Sequence, residues 1–560
     1  MASSTIISGS QCPLGLDDKI TVPELMLKYN PDLCPPDKVV HIDTIANKSL
    51  TYQGVRDQAA KCAWGLKNKL GVKKGDKILV IVPNSSDFIV LAHATLWLGA
   101  IFSPLNPSSL AKDIAHAVNL VQPSYLAIHP SILEAVESAF SSLGLTKSTR
   151  PTLFTLIGRS NNIKLFPDDI TGSGPDETLA PYSVGSGTTK DLTAFIVFSS
   201  GTTGKIKGVQ LSHYNLVSNL IQTRISVPGM MNSSSRECFF PPYCHVYGLS
   251  VVVLVGMWVG SFTCGIPAFD FELFCSKMAE YKATWAHIVP PIAVELAQSQ
   301  TVLKYDLSDL KTILIAAAPT KRALQIKLKT RFGEDTKIIQ GFGMSECSPT
   351  VMLQSPLDDE SNIGSVGKVI VGTDVRLVDP VTLKDVPRGE EGELWVRGPQ
   401  TMMGYYNNEA ATRETYVGEW LRTGDIMRVD ENDNFWITDR LKELIKYKGF
   451  QVPPSELEDI LLQHESVIDA AVTSIYSDEQ ATELPIAYVT LHSRHDATKA
   501  PAERQAVLDN IRTWIDGQVA GYKKIRGGVW ELKSLPKTPS GKILRKDLPC
   551  RVAEARAAKL

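Results

Sequence analysis

The sequence predicts an α/β fold: a large N-terminal domain of α/β subdomains joined to a β-rich subdomain, with a small α+β domain at the C-terminal end. Three observations predict it. The chain has 560 residues, more than one hydrophobic core usually serves, so it divides into domains. Short apolar runs alternate with helix-like runs through the first two-thirds, the mark of a parallel sheet with crossover helices. From about residue 366 the texture changes to short strands with Gly-rich turns.

KILVIVP (77–83) is a continuous apolar run and reads as a buried strand. DFIVLAHATLWLGAIFSPL (87–105) reads as a helix leading into a second strand. TAFIVF (193–198), TWAHIVP (284–290) and KTILIAAAP (311–319) are further short strands bounded by turn residues. The uncharged run 246–269 is long enough for a membrane span. Five glycine or proline breaks (Gly248, Gly256, Gly260, Gly265, Pro267) favour a buried helix and a buried strand. VGTDVRLVDP (371–380) and GELWVRGP (392–399) begin the β-rich subdomain, and DENDN (430–434) makes a polar bend. SELEDILLQH (455–464) reads as an amphipathic helix opened by a Ser455–Glu458 capping box. The domain expectation is therefore 1–440 and 441–560, with a hinge near 439–442.

Composition excludes several classes. Hydrophobic residues make up 43% and charged residues 21%, with a formal net charge of −2. No field draws the chain to nucleic acid or an anionic membrane. Nine cysteines, odd in number and without CxxC spacing, argue against a disulfide framework or structural zinc and for a reducing compartment. The first residues have neither the basic start nor the apolar core of a secretory signal. The final residues AKL (558–560) match a variant of the SKL peroxisomal address, so a peroxisomal import receptor is an expected partner and the peroxisome the expected location, otherwise the cytoplasm.

Four segments suggest chemistry. SSGTTGKIKG (199–208) offers glycine-freed N–H groups and hydroxyls to a polyphosphate. It fails the G-x-x-x-x-G-K-[ST] pattern, since Lys205 is followed by Ile206. QGFGMSECSPT (340–350) carries Glu346, and one carboxylate is enough for a phosphate-bound Mg²⁺. LRTGDI (421–426), with Asp425, and the nearby Arg440 could hold a ribose diol. LPKTPSGKILRKDL (535–548) presents Lys542 after a Pro-Ser-Gly turn. Singly, these segments also read as a flexible turn, a helix-start glutamate, a turn aspartate and a solvated lysine.

Their joint order, with GELWVRGP and DRLKELIKYKGFQVPP (439–454) between them, resembles the adenylate-forming (AMP-binding) superfamily of acyl-CoA synthetases, 4-coumarate–CoA ligases and beetle luciferases. The resemblance runs from about residue 51 to 548. It implies that the loop holds the β- and γ-phosphates of ATP through Ser199, Ser200, Gly201, Thr202, Thr203, Gly204 and Lys207. Ala317, Ala318 and Pro319 resemble the adenine-side loop, and Gly341, Phe342 and Gly343 the segment stacked on adenine, with Ser345 beside them. Glu346 resembles the Mg²⁺-associated glutamate, and Asp425 and Arg440 the ribose pair. His245 and Tyr247 in PPYCHVYGL (241–249) resemble the HxYG motif of the acyl pocket, which Ser348, Pro349 and Thr350 would also line. Lys442 falls at the hinge of a mobile C-terminal domain, Lys446 and Gly449 face the thiol step, and Lys542 resembles the catalytic lysine of the first step.

The resemblance implies a ligase that joins a small carboxylic acid to ATP, releases pyrophosphate and passes the acyl group to CoA. A luciferase-like oxidase, a ligase loading a carrier protein and an inactive nucleotide-binding regulator are the alternatives. Lys542, Glu346, Asp425 and Arg440 argue against the last. Ile206 stands for the usual Pro, Phe342 for Tyr, Ser345 for Thr, Ala316 for Gly and Asp433 for a turn Gly. Ser348, Thr350 and Trp395 depart from the plant coumarate ligases, which separates adenylation from any reading of the acid.

Overall fold

The computed structural model describes residues 6–12, 17–44, 46–160, 162–199, 206–227, 229, 231–316, 320, 322–357, 362–441, 443–447, 450–477, 480, 482–492, 501–519, 521–538 and 541–551, without the side chains of 440, 446, 450, 451 and 501. Ser200 to Gly204, Ala317 to Pro319, Lys442, Gly449 and the 558–560 tripeptide, all singled out above, lie outside the described residues.

Two large sheets form the first part. In one, Lys77–Ile81 lies between Ile101–Pro104 and Tyr125–Ile128, all parallel, and Thr193–Ser199 continues the sheet beside Ile101–Pro104. In the other, Arg236–Phe239, Trp285–Ile288, Thr312–Ile315 and Lys337–Gly343 run parallel in that order. Their apolar runs are buried almost throughout, as strands covered on both faces must be. The crossover helices start where the sequence supplies caps. Ser85 accepts a hydrogen bond from the Phe88 N–H to open Ser86–Trp97, and Thr51 does the same for Tyr52–Leu70, which ends at Gly71 with φ of 80°. A third sheet of Asp374–Val378, Gly392–Arg397, Trp420–Val429 and Phe435–Arg440 is antiparallel. Beyond it, Ile445–Tyr447 and Phe450–Val452 pair antiparallel. Val467–Ser477, Thr482–Leu491 and Val529–Glu531 make a small sheet with its own core around Leu457, Ile511 and Val489.

The uncharged run 246–269 folds as a buried helical stretch followed by the strand Phe262–Gly265, and Leu249–Gly256 within it winds as a π-helix. No helix among the described residues is long and apolar enough to cross a membrane. All nine cysteines are free thiols. Asp433 has φ of 63°, so it fills the left-handed turn position where glycine is usual.

One expectation fails. The helix Pro454–Leu461 has Pro453 at its N-cap and no side-chain cap, so Ser455 and Glu458 form no capping box. Ser455 Oγ instead donates to the Thr438 carbonyl at 2.6 Å, and Glu458 accepts from the Val472 N–H at 2.7 Å and from Arg545 at 2.8 Å. Long-range partners outcompete the local cap.

Candidate functional site

The parallel strands of both sheets aim their carboxyl ends at one cleft of about 2640 Å³. Pro104, Ser199, Phe240, Val289, Ala316 and Gly341, each at or near such a strand end, all line it. Open α/β sheets bind ligands at this edge, where backbone groups leave the ladder.

The strands Thr193–Ser199 and Lys207–Ser212, on either side of the phosphate-loop candidate, pair antiparallel. Ser199 and Lys207 are in register, and the helix His213–Ser226 starts only after the strand Lys207–Ser212. A Walker loop instead runs from strand directly into helix. His116 Nε2 lies 2.8 Å from the Ile206 carbonyl and donates to it, tying the base of the loop to the helix Ala111–Val121. Lys207 Nζ lies 4.5 Å from the centre of the Tyr405 ring, a cation–π contact.

Glu346 sits on the short turn Ser345–Cys347, buried yet lining the cleft. The Tyr405 hydroxyl donates to its Oε1 at 2.9 Å. Burial and this carboxylate hold the Tyr405 phenol far above its ordinary pKa, so it remains a donor. Ser348 follows in the left-handed region, with φ of 69°, and its hydroxyl donates to the Gln400 carbonyl. The Asn219 amide donates to the Thr350 carbonyl at 2.9 Å and accepts from the Thr350 N–H at 3.1 Å. Gly343 packs so tightly that a Cβ would lie 2.5 Å from the Pro349 carbonyl oxygen. Gln340 reaches Thr320, accepting its N–H at 2.7 Å and donating to its carbonyl at 3.1 Å.

Asp425 is buried on the strand Trp420–Val429, with its backbone in register with Arg440. Its N–H donates to Thr423, whose hydroxyl donates to the Leu394 carbonyl at 2.8 Å. Trp395 earns its place here: its indole donates to the buried Glu393, which also pairs with Arg422 at 2.8 Å.

His245 and Tyr247 line the cleft from the segment that opens the helical run. His245 Nδ1 accepts the Tyr247 N–H at 3.2 Å, and enclosure by the cleft walls lowers its pKa. Lys542 enters from the other side. The Thr538 N–H donates to the Lys542 carbonyl at 2.9 Å, the Gly541 N–H donates to the Thr538 carbonyl at 2.8 Å, and Thr538 Oγ1 accepts the Lys542 N–H at 3.1 Å. Gly541 has φ of 82°, and a Cβ there would lie 2.5 Å from Cγ of Pro291, so the turn is seated directly on the helix Pro290–Gln298. Arg545 anchors this segment through Glu443, Glu458 and the Val472 carbonyl.

The cleft thus brings together Ser199, Lys207, Phe342, Glu346, Asp425, His245, Tyr247, Thr350 and Lys542. Tyr405, Gln340, Asn219 and His116 were not found by sequence reasoning. Each acts through a contact distant in sequence, and no local spacing signals it.

A family model described as AMP-binding enzyme matches residues 32–406, and one described as AMP-binding enzyme C-terminal domain matches 456–542. The chain is 36% identical over 540 residues to a probable 4-coumarate–CoA ligase 2 of Dictyostelium discoideum, covering 94% of both. It is 34% identical over 526 residues to 4-coumarate:CoA ligase 1 of Petunia hybrida, covering 90% of both. Among solved structures, the anthranilate CoA ligase AuaEII in complex with anthranoyl-AMP superposes with a TM-score of 0.82 at 25% identity, covering 97% of this chain and 99% of that one.

Proposed function

This chain belongs to the AMP-binding enzyme family and is an ATP-dependent acid–CoA ligase working through an acyl-adenylate; from that premise we propose that its acid is apolar, a fatty, polyketide-type or aryl acid, and that Lys542 drives the first half-reaction only. The observation that carries the proposal is the cleft itself, lined at once by Glu346, Asp425, Lys542 and an apolar stretch including Met231, Val251, Val255 and Met352.

A carboxylate is a poor electrophile because its oxygen is a poor leaving group. Attack on the α-phosphorus of ATP converts that oxygen into part of an AMP leaving group, and pyrophosphate departs. Charge builds at phosphorus, so positioning and electrostatic stabilisation carry the step. Lys542 neutralises charge between the acid and the α-phosphate. The glycine- and hydroxyl-rich segment ending at Lys207 holds the departing phosphates, and Asp425 with Arg440 the ribose. The apolar wall keeps water from the mixed anhydride. Glu346 fits a Mg²⁺ ion: it is a hard oxygen donor, held in place by Tyr405. A Mg²⁺ ion needs only one or two carboxylates from the protein and takes its other ligands from phosphate and water. When bound, the ion supplies charge neutralisation to the phosphates. The unit 441–560 then turns about Lys442, and Lys446 and Gly449 meet the thiol. Residues 558–560 are the proposed import address; a reporter carrying this tail is expected to enter peroxisomes, and its exclusion, or equal entry of a reporter lacking Leu560, would overturn the proposal.

Pyrophosphate release is to be measured with octanoate, 4-coumarate and anthranilate, with and without CoA. Acid-dependent release followed by a CoA thioester is expected. Release with no thioester would overturn the acceptor, and release with none of the acids would overturn the acid class.

A further inference from the structure

Behind the acyl wall lies a polar layer that the chemistry above does not use. Tyr247 is half-buried and faces the cleft. Its hydroxyl lies 3.0 Å from Nδ1 of His287, on the strand Trp285–Ile288. His287 is fully enclosed, and its Nε2 faces Oε2 of Glu237 at 3.7 Å. Glu237, also buried, belongs to the neighbouring parallel strand Arg236–Phe239. Its other oxygen accepts a hydrogen bond from Thr263 at 2.9 Å. Among the described residues, His287 Nε2 and Glu237 Oε2 have no hydrogen-bond partner.

Two buried polar atoms that face each other and nothing else are costly unless they serve one another. A carboxyl movement of under about 1 Å brings them to hydrogen-bonding distance. The direction of the chain then follows from proton count, because a neutral imidazole carries one N–H. Burial lowers His287 to about 3 and raises Glu237 to about 8, which favours both neutral forms. The Glu237 carboxyl O–H then donates to Nε2, and Nδ1–H donates to the Tyr247 oxygen. The phenol proton is left for the cleft. An ionised Glu237 would reverse every bond and leave Tyr247 presenting lone pairs.

We propose that Glu237 and His287 are positioning residues that present Tyr247 to the acyl pocket as a hydrogen-bond donor, so that the site selects acids whose tail carries an acceptor oxygen over apolar isosteres. The inference rests on the acid-ligase reading of the cleft. It adds a polar requirement to a wall otherwise apolar, set by two residues that do not themselves line the cleft.

The test uses matched acids differing only by oxygen for methylene: 4-methoxycinnamate against 4-ethylcinnamate, and 8-methoxyoctanoate against decanoate. The readout is kcat/KM for pyrophosphate release by the full chain. At least one pair should show a preference of about tenfold or more for the ether, the discrimination expected of a buried donor left unpaired by the isostere. Glu237→Gln, whose amide N–H still donates to Nε2, should keep it. His287→Leu and Glu237→Leu should bring the ratio to about one while the isostere's own rate holds. If one leucine variant fails to fold, the other decides. No preference in the parent overturns the proposal. So does a preference that survives His287→Leu, or an equal fall for both acids, which marks a merely structural role. Loss of the preference in Glu237→Gln overturns the donor direction. If no acid in any pair releases pyrophosphate, it is the acid-ligase reading that fails, a separate result.

Discussion

At the scale of single residues, chemistry in this cleft depends on side chains held from behind. Glu346 is oriented by Tyr405, and the same ring carries Lys207 on its face, so one tyrosine couples the carboxylate to the start of the strand Lys207–Ser212. Tyr405→Phe keeps the ring and removes the donor; KM for ATP is expected to rise about tenfold, the worth of one hydrogen bond to a charged group, with a smaller change in kcat. Lys542→Ala is expected to lower acid-dependent pyrophosphate release about 100-fold or more, the scale of losing one preorganised charge. Conversion of supplied acyl-AMP to thioester should stay within about twofold of the parent under the same division of labour. Equal loss in both half-reactions would refute that division. Glu346, Asp425, His245 and Lys542, singled out from their short motifs, all line one cleft, which local spacing could signal because a site built on turns needs particular residue types close together. Tyr405, lying 59 positions from Glu346, was not legible in the sequence, because a tyrosine in GYY carries no mark of its partner.

At the scale of elements, strands and helices were legible where local physics decides them. KILVIVP and TAFIVF fold as strands within a residue or two of the expected ends, since a continuous apolar run flanked by turn residues has few other solutions. Ser455 shows the opposite case. Its spacing to Glu458 satisfies a local rule, but Thr438, Val472 and Arg545 offer both residues better partners from elsewhere. The turn bearing Lys542 depends on Gly541 in the same non-local way. Alanine there meets a left-handed φ, costing about 1–2 kcal/mol, and a Cβ collision with Pro291. Gly541→Ala should displace the turn from the cleft, lowering adenylation about tenfold or more while leaving the thiol step and the melting temperature of the large unit near those of the parent. Unchanged adenylation would show that the seat on Pro291 is dispensable.

At the scale of the whole molecule, burial of ionisable groups sets how the fold responds to acid. Desolvation lowers His213 and His287 to about 3 and His41 and His93 to about 4. The unfolded chain therefore binds more protons than the fold below about pH 6.5, so stability from these four is full above that value and is lost as pH falls toward 4. Glu237, raised to about 8, and Glu458, raised to about 7, act oppositely: their contribution weakens as pH rises from about 4.5 through those values. Among these six groups the four histidines outnumber the two carboxylates, so near pH 5.5 their net effect is to lower stability as pH falls. Urea midpoints should fall between pH 7 and pH 5; a rise would reverse the sign. The Arg545 contacts have a mechanical consequence. By joining the segment of Lys542 to Glu443, one residue past 442, and to the core strand at Val472, they would make the small unit, in the proposed turn about 442, a lever whose tip and pivot are fixed to each other. A lever has one coordinate. A pair of probes at the exposed Val294 and Trp530 should then report its swing as two narrow distances that exchange, and Arg545→Ala should blur them into one broad band.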